Sequence, residues 1–279
     1  MNKYLTGILS VALWLCAQNF VAAQTVTNDT TIDDLTNLVA RINAKIAAGK
    51  TQEADFADNL KEFDALVAKH KGAKPEELAQ VLFMKAKLYN EVLEEPGPAL
   101  ELYKQIKRDY PTIQIGGDTD QAIKDLEAIV TRWNIWHTLA VGTRFPDFTA
   151  TNLVGKPLSL GDYKGKVVLV DFWATWCLPC QAQLPYLLKT YAKYHRRGFE
   201  IVGVSLDDDQ QKLLTFARNV GMTWPQTCDG QGMDGKLPAQ YGIYQIPNTF
   251  LLNGQGIIIG KELRGDALEL AVSNALPRE

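Results

Sequence analysis

The stretch VVLVDFWATWCLPC, Val167–Cys180, decides how the second half of this 279-residue chain is interpreted. Its run of β-branched and aromatic residues predicts a strand, Val167–Ala174, that is apolar on both faces and therefore central in its sheet. Two cysteines follow, three positions apart, and the segment Gln181–Arg197 after them is predicted to be helical. A Cys-x-x-Cys pair at a strand-to-helix junction indicates chemistry, because packing alone does not require it.

The position of the pair at a helix start predicts what it does. Cys177 is expected at the positive end of the helix dipole, where unpaired backbone N–H groups favour a thiolate. Cys180 lies one turn later on the same side, within reach of the first sulfur. Since only a thiolate attacks a disulfide sulfur, we predict that Cys177 is the nucleophile and that Cys180, the shielded thiol, resolves the mixed disulfide.

A metal or haem site is the competing interpretation of the two cysteines. Zinc needs three or four ligands, and the sequence has no second Cys-x-x-Cys and no clustered histidines. Residue 181 is Gln181, so the Cys-x-x-Cys-His pattern of haem attachment is absent as well. The sequence therefore predicts a redox pair with no metal and no cofactor.

One acid, Asp171, stands in the middle of the apolar strand, six residues before Cys177. A buried carboxylate is costly, and desolvation is expected to raise its pKa. Such an acid can accept the proton of Cys180 during resolution, so Asp171 is a predicted catalytic residue. The alternative is a structural aspartate that is hydrogen-bonded to the backbone.

Composition bounds the class of protein. Hydrophobic residues make up 46% of the chain and charged residues 22%, so it can bury a core and is not of a disordered type. The formal net charge of −3 gives no electrostatic footprint for nucleic acid.

The N-terminus predicts export. Lys3 precedes a largely apolar run, Tyr4–Cys16, and Val21-Ala22-Ala23 offers the small residues of a cleavage site. Residues 1–23 are therefore predicted to be a signal peptide, which places the protein in the periplasm or another extracytoplasmic compartment. An uncleaved signal that anchors the chain in a membrane is the alternative.

Residues 24–136 are predicted to form an all-α helical domain. Apolar residues recur at helical spacing from Ile32 to Ile46, and further helices follow up to about Trp133. The segments Ala79–Leu93 and Pro98–Tyr110 resemble a single tetratricopeptide-like hairpin, which would have to pack on neighbouring helices. A generic helical bundle is the alternative interpretation.

After a linker at 137–144, residues 145–279 are predicted to form an α/β domain, because strands there alternate with helices. The remaining predicted elements are a hairpin of Phe148–Asn152 with Lys156–Ser159, a buried strand Phe199–Leu206, a helix from Asp207 to about Val220, a hairpin of Thr249–Asn253 with Ile257–Leu263, and a terminal helix Gly265–Ala275.

Several motifs carry a family resemblance. DFWATWCLPC at 171–180 resembles the active-site segment of thioredoxins, and YQIPNTF at 244–250 resembles the loop with their cis-proline. With FPDF at 145–148 and GVSLD at 203–207, residues from about 140 to 279 are similar to the exported TlpA/ResA-type branch. The resemblance implies a thioredoxin-like fold, a central mixed sheet of four or five strands flanked by helices, with an insertion at 210–241.

The resemblance also implies how a substrate is held. Pro247 is expected to be cis and to face the cysteine pair, leaving the Ile246 backbone free to bind an extended segment. Trp176 is expected to be a partly exposed platform for a partner chain, and Trp173 to be core. Cys228 stays open between a third redox thiol, a dimer link and a buried thiol.

These observations predict an exported thiol-disulfide oxidoreductase that exchanges disulfides with protein substrates. Leu178 is apolar, and the dipeptide lacks the histidine that strong oxidants of the resembled superfamily often carry, so the resemblance implies reduction rather than oxidation. An upstream dithiol donor, membrane-borne, would recharge the pair, and the helical domain would dock a partner.

Two alternative functions stay open. A thiol peroxidase of related fold would want Pro-x-x-x-Thr-x-x-Cys, whereas Thr175 is two residues before Cys177. An interaction protein would act through its helical domain and carry a vestigial redox domain.

Overall fold

The computed structural model describes residues 30–277, and the chain divides into two compact units between Val130 and Thr131. The predicted signal peptide, residues 1–23, lies outside the described residues. No helix within residues 30–277 is long and apolar enough to cross a membrane.

The first unit is helical, as predicted. Its apolar residues recur at helical spacing and point inward, with Leu38, Phe56 and Phe63 almost fully buried. Pro75 opens a helix in the first turn, where its missing N–H costs nothing, and Glu76 and Glu77 follow at the positive end of the dipole. The helices are α1 (Thr30–Ala47), α2 (Glu53–Lys69), α3 (Pro75–Lys87, continued by a π-helical turn Leu88–Val92), α4 (Pro96–Asp109) and the start of α5 (Thr119–Thr138).

Helices α3 and α4 pack against each other, and Ala86 and Ala99 are buried at their contact together with Leu126 from α5. The pair therefore covers its apolar face with a further helix of the same unit, as an isolated repeat must. Its interpretation as a tetratricopeptide-like hairpin stays a prediction.

The domain boundary differs from the prediction. Helix α5 continues to Thr138, whereas the sequence placed its end near Trp133 and a linker at 137–144. The second unit begins at Thr131, so the last two turns of α5 belong to it. A close backbone approach explains this, because a Cβ added at Gly242 would lie 2.2 Å from the Arg132 carbonyl oxygen and 2.6 Å from the Trp136 nitrogen.

The second unit contains a mixed sheet flanked by helices, which confirms the predicted fold class. Its strands are β3 (Val167–Trp173), β4 (Phe199–Ser205), β5 (Gln226–Thr227), β6 (Asn248–Leu252) and β7 (Ile258–Lys261), and a small separate hairpin joins β1 (Thr149–Thr151) to β2 (Pro157–Ser159). The strand order is β5-β4-β3-β6-β7. Strand β3 pairs in parallel with β4 and antiparallel with β6, so it is central, and all its residues are buried.

The helix after the cysteines is broken, which the sequence prediction of one helix over Gln181–Arg197 missed. Pro185 explains the break, because it has no N–H for the carbonyl of Gln181 and its ring crowds that carbonyl. The helices of this unit are α6 (Leu178–Gln181), α7 (Leu184–Tyr194), α8 (Gln210–Val220), α9 (Lys236–Gln240) and α10 (Gly265–Ala275).

The approach of Gly242 to α5 predicts a selective loss of stability. Gly242 has φ of +63°, and Gly155 in the β1–β2 turn has φ of +78° with open space around it. Gly155→Ala should cost only the left-handed strain of about 1 kcal/mol. Gly242→Ala adds a clash with backbone and should cost at least about 2 kcal/mol more. Urea unfolding of both variants measures the difference, and equal losses would contradict the packing argument.

Candidate active site

Cys177 and Cys180 lie where β3 leads into α6. Cys177 is the N-cap residue of α6, and its Sγ accepts the backbone N–H of Cys180 at 3.2 Å. The two sulfur atoms are bonded to each other, and the Cα atoms are 5.2 Å apart. Both residues are buried, with 4% and 3% of their surface exposed, whereas the sequence prediction had only Cys180 shielded.

The residues beside Cys177 are exposed and apolar. Trp176 is 59% exposed and Leu178 is 74% exposed, and Tyr186 at the start of α7 is partly exposed as well. Trp173 is buried, as expected, and its Nε1–H donates to Gln226 Oε1 at 3.0 Å. The disulfide therefore lies between large apolar side chains that are exposed to solvent.

Asp171 is buried in the central strand, and it lines a cavity that Cys180 lines as well. Burial raises the pKa of its carboxyl to about 7, and the positive charge of Arg264 opposes that rise. Asp171 and Cys180 line the same cavity of about 10 Å³, together with Pro247 and Arg264. That volume is about the smallest that holds one water molecule, so little solvent separates the residues that line the cavity.

The Ile246–Pro247 peptide bond is cis, as the resemblance implied. Pro247 lines the cavity beside Cys180, and its carbonyl oxygen accepts a hydrogen bond from Arg264 Nη2. Arg264 Nη1 donates to Thr249 Oγ1 at 3.0 Å. The loop with the cis-proline is thus held from the side of the last strand.

The end of α5 holds the same loop from its other side. Trp136 Nε1–H donates to Asn248 Oδ1 at 3.1 Å, directly after Pro247. Arg132 Nη1 donates to the carbonyl oxygen of Ile243 at 3.2 Å. Because Gly242 packs on the helix backbone, the segment before the cis-proline is fixed by backbone contact as well as by side chains.

Asp207, at the end of β4, fixes the loop in front of Cys177. Its buried carboxylate accepts the Thr175 hydroxyl at 2.6 Å, the Thr175 backbone N–H at 3.1 Å and the Ser205 hydroxyl at 2.6 Å. A buried carboxylate that accepts several hydrogen bonds holds its donors in a single geometry. The loop that leads to Cys177 is therefore held in one geometry.

Cys228 stands apart from the pair. It is buried and makes no disulfide, and its Sγ–H donates to the backbone oxygen of Asp207 at 3.0 Å. Burial raises the pKa of this thiol, which disfavours its thiolate. In the described part of the chain, no group of three or more His, Cys, Asp or Glu is placed to hold a metal ion.

Sequence reasoning missed Arg264, Asp207 and the two residues of α5 that hold the loop. Asp207 was interpreted as part of a helix start, and the residue that caps α8 is Asp209. Arg264 is a single cation after the last strand and matches no motif. The one sequence signal for Asp207 is an acid directly after a buried strand, at the carboxyl ends of the parallel strands β3 and β4, where Cys177 also lies.

Comparison with known proteins was consistent with this geometry. A family model described as the AhpC/TSA family matches residues 141–261. A thiol-disulfide oxidoreductase ResA of Bacillus thuringiensis is 33% identical over 128 residues, which cover 46% of this chain and 72% of the relative. The ResA of Geobacillus thermodenitrificans is 39% identical over 118 residues, covering 42% of this chain and 66% of the relative.

A solved structure is similar as well. The thioredoxin domain of a thiol-disulfide oxidoreductase from Bacteroides vulgatus is 37% identical, and the match covers 50% of this chain and 99% of that one, with a TM-score of 0.47. The fold and the paired cysteines define a thioredoxin-like protein of the oxidoreductase class. Within that class, the chain belongs to the family of the ResA thiol-disulfide oxidoreductases.

The raised pKa of Asp171 predicts a pH-dependent gain from Asp171→Asn. The pKa in the folded chain, about 7, lies above the ordinary value of 3.8, so the neutral acid is favoured by folding and this stabilisation is lost as the pH rises through 7. Asparagine stays neutral throughout. The variant should therefore gain stability relative to the wild type by about 3 kcal/mol between pH 5 and pH 8, at about 1.36 kcal/mol per pKa unit.

Urea unfolding of the oxidised protein, followed by tryptophan fluorescence, measures this gain. Asp208→Asn is the control, since Asp208 is an exposed carboxylate next to the site. A difference between wild type and Asp171→Asn that does not change with pH would contradict the burial of a titrating acid.

Proposed function

We propose that this protein reduces disulfides of other proteins in an extracytoplasmic compartment, with Cys177 and Cys180 as its redox pair. The observation that carries the proposal is the cavity that brings together Cys180, Asp171 and the cis-proline Pro247. In it, a thiol that must lose a proton, an acid that can accept one and a loop that can bind an extended chain meet at one point.

The reaction begins with the reduced pair. The Cys177 thiolate attacks one sulfur of the client disulfide, a bond forms between the two, and the other client sulfur leaves as a thiolate. The N-cap position of Cys177 supports its role as the attacking group, because the Cys180 backbone N–H points at its sulfur.

Resolution releases the client. Cys180 gives its proton to Asp171 and attacks Cys177 Sγ, so that the Cys177–Cys180 disulfide forms and the second client sulfur leaves. The client gains two electrons and two protons, and the pair is oxidised by two electrons. One proton comes from Cys180 through Asp171, and the other comes from water, which took it when Cys177 ionised. An acid whose pKa is about 7 is suited to this step, since it is ionised often enough to accept and returns the proton to the leaving thiolate.

The client is expected to bind as an extended segment beside Ile246. A strand-like segment can hydrogen-bond to the backbone there, because the cis-proline leaves that edge without a partner strand. Trp176 supplies an exposed aromatic platform next to the attacking sulfur. An extended peptide with apolar side chains around its disulfide fits these two features.

Reduction, export and recharging are parts of the same proposal. The uncharged Leu178-Pro179 dipeptide supports a reducing pair, and residues 1–23 support export. A disulfide left by each turnover has to be reduced again in an oxidising compartment, which requires a dithiol donor that we place in the membrane. The helical unit is proposed to dock a partner protein.

A turnover assay on the purified full chain tests the proposal. Protein reduced with dithiothreitol and freed of it should release thiols from oxidised insulin, and Cys177→Ser should abolish this release. Cys228→Ser is the matched control and should retain the wild-type rate, since Cys228 is a buried thiol that takes no part in the disulfide. Cys180→Ser should accumulate a stable mixed disulfide that mass spectrometry detects.

Two outcomes would reject the proposal. Full activity of Cys177→Ser in the cell would favour an interaction protein, and consumption of peroxide faster than release of insulin thiols would favour a thiol peroxidase.

The resolving role of Asp171 has its own test. In single-turnover experiments, Asp171→Asn should form the mixed disulfide at the wild-type rate and resolve it about 10²-fold more slowly at pH 7, because a positioned base is lost. Wild-type resolution should slow as the pH falls below about 7, where Asp171 becomes protonated. An unchanged resolving rate in the variant would leave Asp171 with a structural role.

A further inference from the structure

We propose that Arg264 is a positioning residue that joins the substrate loop to the resolving acid: its guanidinium holds the cis-proline loop and places a positive charge beside the Asp171 carboxylate. This inference rests on the proposed function for its catalytic meaning, and on contacts within the second unit for its geometry.

Arg264 holds the cis-proline loop through side-chain hydrogen bonds. Arg264 Nη2 donates to the Pro247 carbonyl oxygen and Nη1 donates to Thr249 Oγ1 at 3.0 Å, so one planar group spans the residue at the cis bond and the second residue after it. Nη1 also donates to the carbonyl oxygen of Leu263 at 3.0 Å, which ties the guanidinium to its own backbone. The two nitrogens of this rigid fork therefore restrain Pro247 and Thr249 relative to each other.

The hydrogen bond to Thr249 also places the Arg264 guanidinium beside Asp171. Asp171 in β3 stands directly opposite Thr249 in β6, and opposite residues of an antiparallel pair project their side chains to the same face. The guanidinium that binds the Thr249 hydroxyl therefore lies next to the Asp171 carboxyl. Both groups line the cavity of about 10 Å³ that also contains Cys180.

The backbone next to Arg264 is fixed to the segment between α6 and α7. Arg264 is the N-cap residue of α10, and the N–H of the next residue, Gly265, donates to Gln183 Oε1 at 3.0 Å. Gln183 stands between α6 and α7 and lines the same cavity. The guanidinium is thus positioned from the chain that carries the resolving cysteine as well as from β6.

The charge has a defined effect because few other groups face the acid. The cavity contains Asp171, Cys180, Tyr186 and Arg264 as its charged or titratable groups. The strand neighbours of Asp171 are Gly203 in β4 and Thr249 in β6, and neither of them titrates. Arg264 lowers the pKa of Asp171 against the rise that burial causes, which keeps part of the acid ionised at neutral pH.

A titration of Asp171 tests the effect of the Arg264 charge on this carboxyl, and it does not require enzyme activity. In the oxidised full chain, labelled with ¹³C at the aspartate carboxyl carbon, the signal that Asp171→Asn removes reports the midpoint. Arg264→Gln should move that midpoint upward by about one pH unit. Arg264→Lys keeps the charge and should leave the midpoint near the wild-type value. Arg218→Gln removes an exposed cation of the same unit and is the control.

The role of Arg264 in holding the loop is tested at pH 9, where Asp171 is ionised in each protein. There Arg264→Gln should raise KM for a protein disulfide several-fold, a larger factor than its effect on the rate with a small aromatic disulfide, because only the protein substrate binds along the loop. A purely structural role would change thermal stability and both substrates together.

Two results would overturn the inference. One is an Asp171 midpoint that stays in place in a folded Arg264→Gln protein. The other is an upward shift of about one pH unit in Arg264→Lys, which keeps the charge, and this result decides the question even where the glutamine variant folds poorly. If the wild type exchanges no disulfides at all, the proposed function fails while the titration still shows whether Arg264 controls Asp171.

Discussion

The site depends on one burial, that of the Asp171 carboxyl in the centre of the sheet. An acid in a strand that is buried along its whole length prefers to stay neutral, because the surroundings solvate a charge poorly. Neither adjacent strand supplies a cation opposite it, since Gly203 and Thr249 occupy those places. The compensating charge has to come from outside the sheet, and Arg264 brings it from the turn before α10.

The cis-proline loop is the second element that needs external support. A loop before an inner strand exposes backbone groups that the sheet does not satisfy, so side chains and neighbouring backbone must hold them. Arg132 and Trp136 do so from the end of α5, and Arg264 does so from the other side. The last turns of α5 therefore serve the redox unit, although their sequence continues the helical region. A domain boundary at residue 136, as the sequence predicts, would separate Arg132 and Trp136 from the loop that they support.

The parts that the sequence predicts well are those whose signal is local. Strand β3 is recognisable because its apolar run is continuous, and α10 because its periodic pattern starts and ends where the structure has it. The paired cysteines and the cis-proline belong to short motifs, so the centre of the site could be named in advance. The break before α7 was also readable from Pro185, but helical periodicity on both sides of it favoured one continuous helix.

The parts that escaped prediction act only through tertiary contacts. Asp207 and Thr175 are 32 residues apart, and Trp136 and Asn248 are 112 apart, so no spacing in the sequence relates them. Arg264 is the clearest case, because one guanidinium contacts the cis-proline loop and places its charge beside Asp171. A change that loosens the loop should then also withdraw charge from Asp171, so in the proposed mechanism client binding and resolution are expected to vary together. In that mechanism Asp171 is ionised more readily while the loop is in its binding geometry, which favours proton transfer from Cys180 in a correctly formed site.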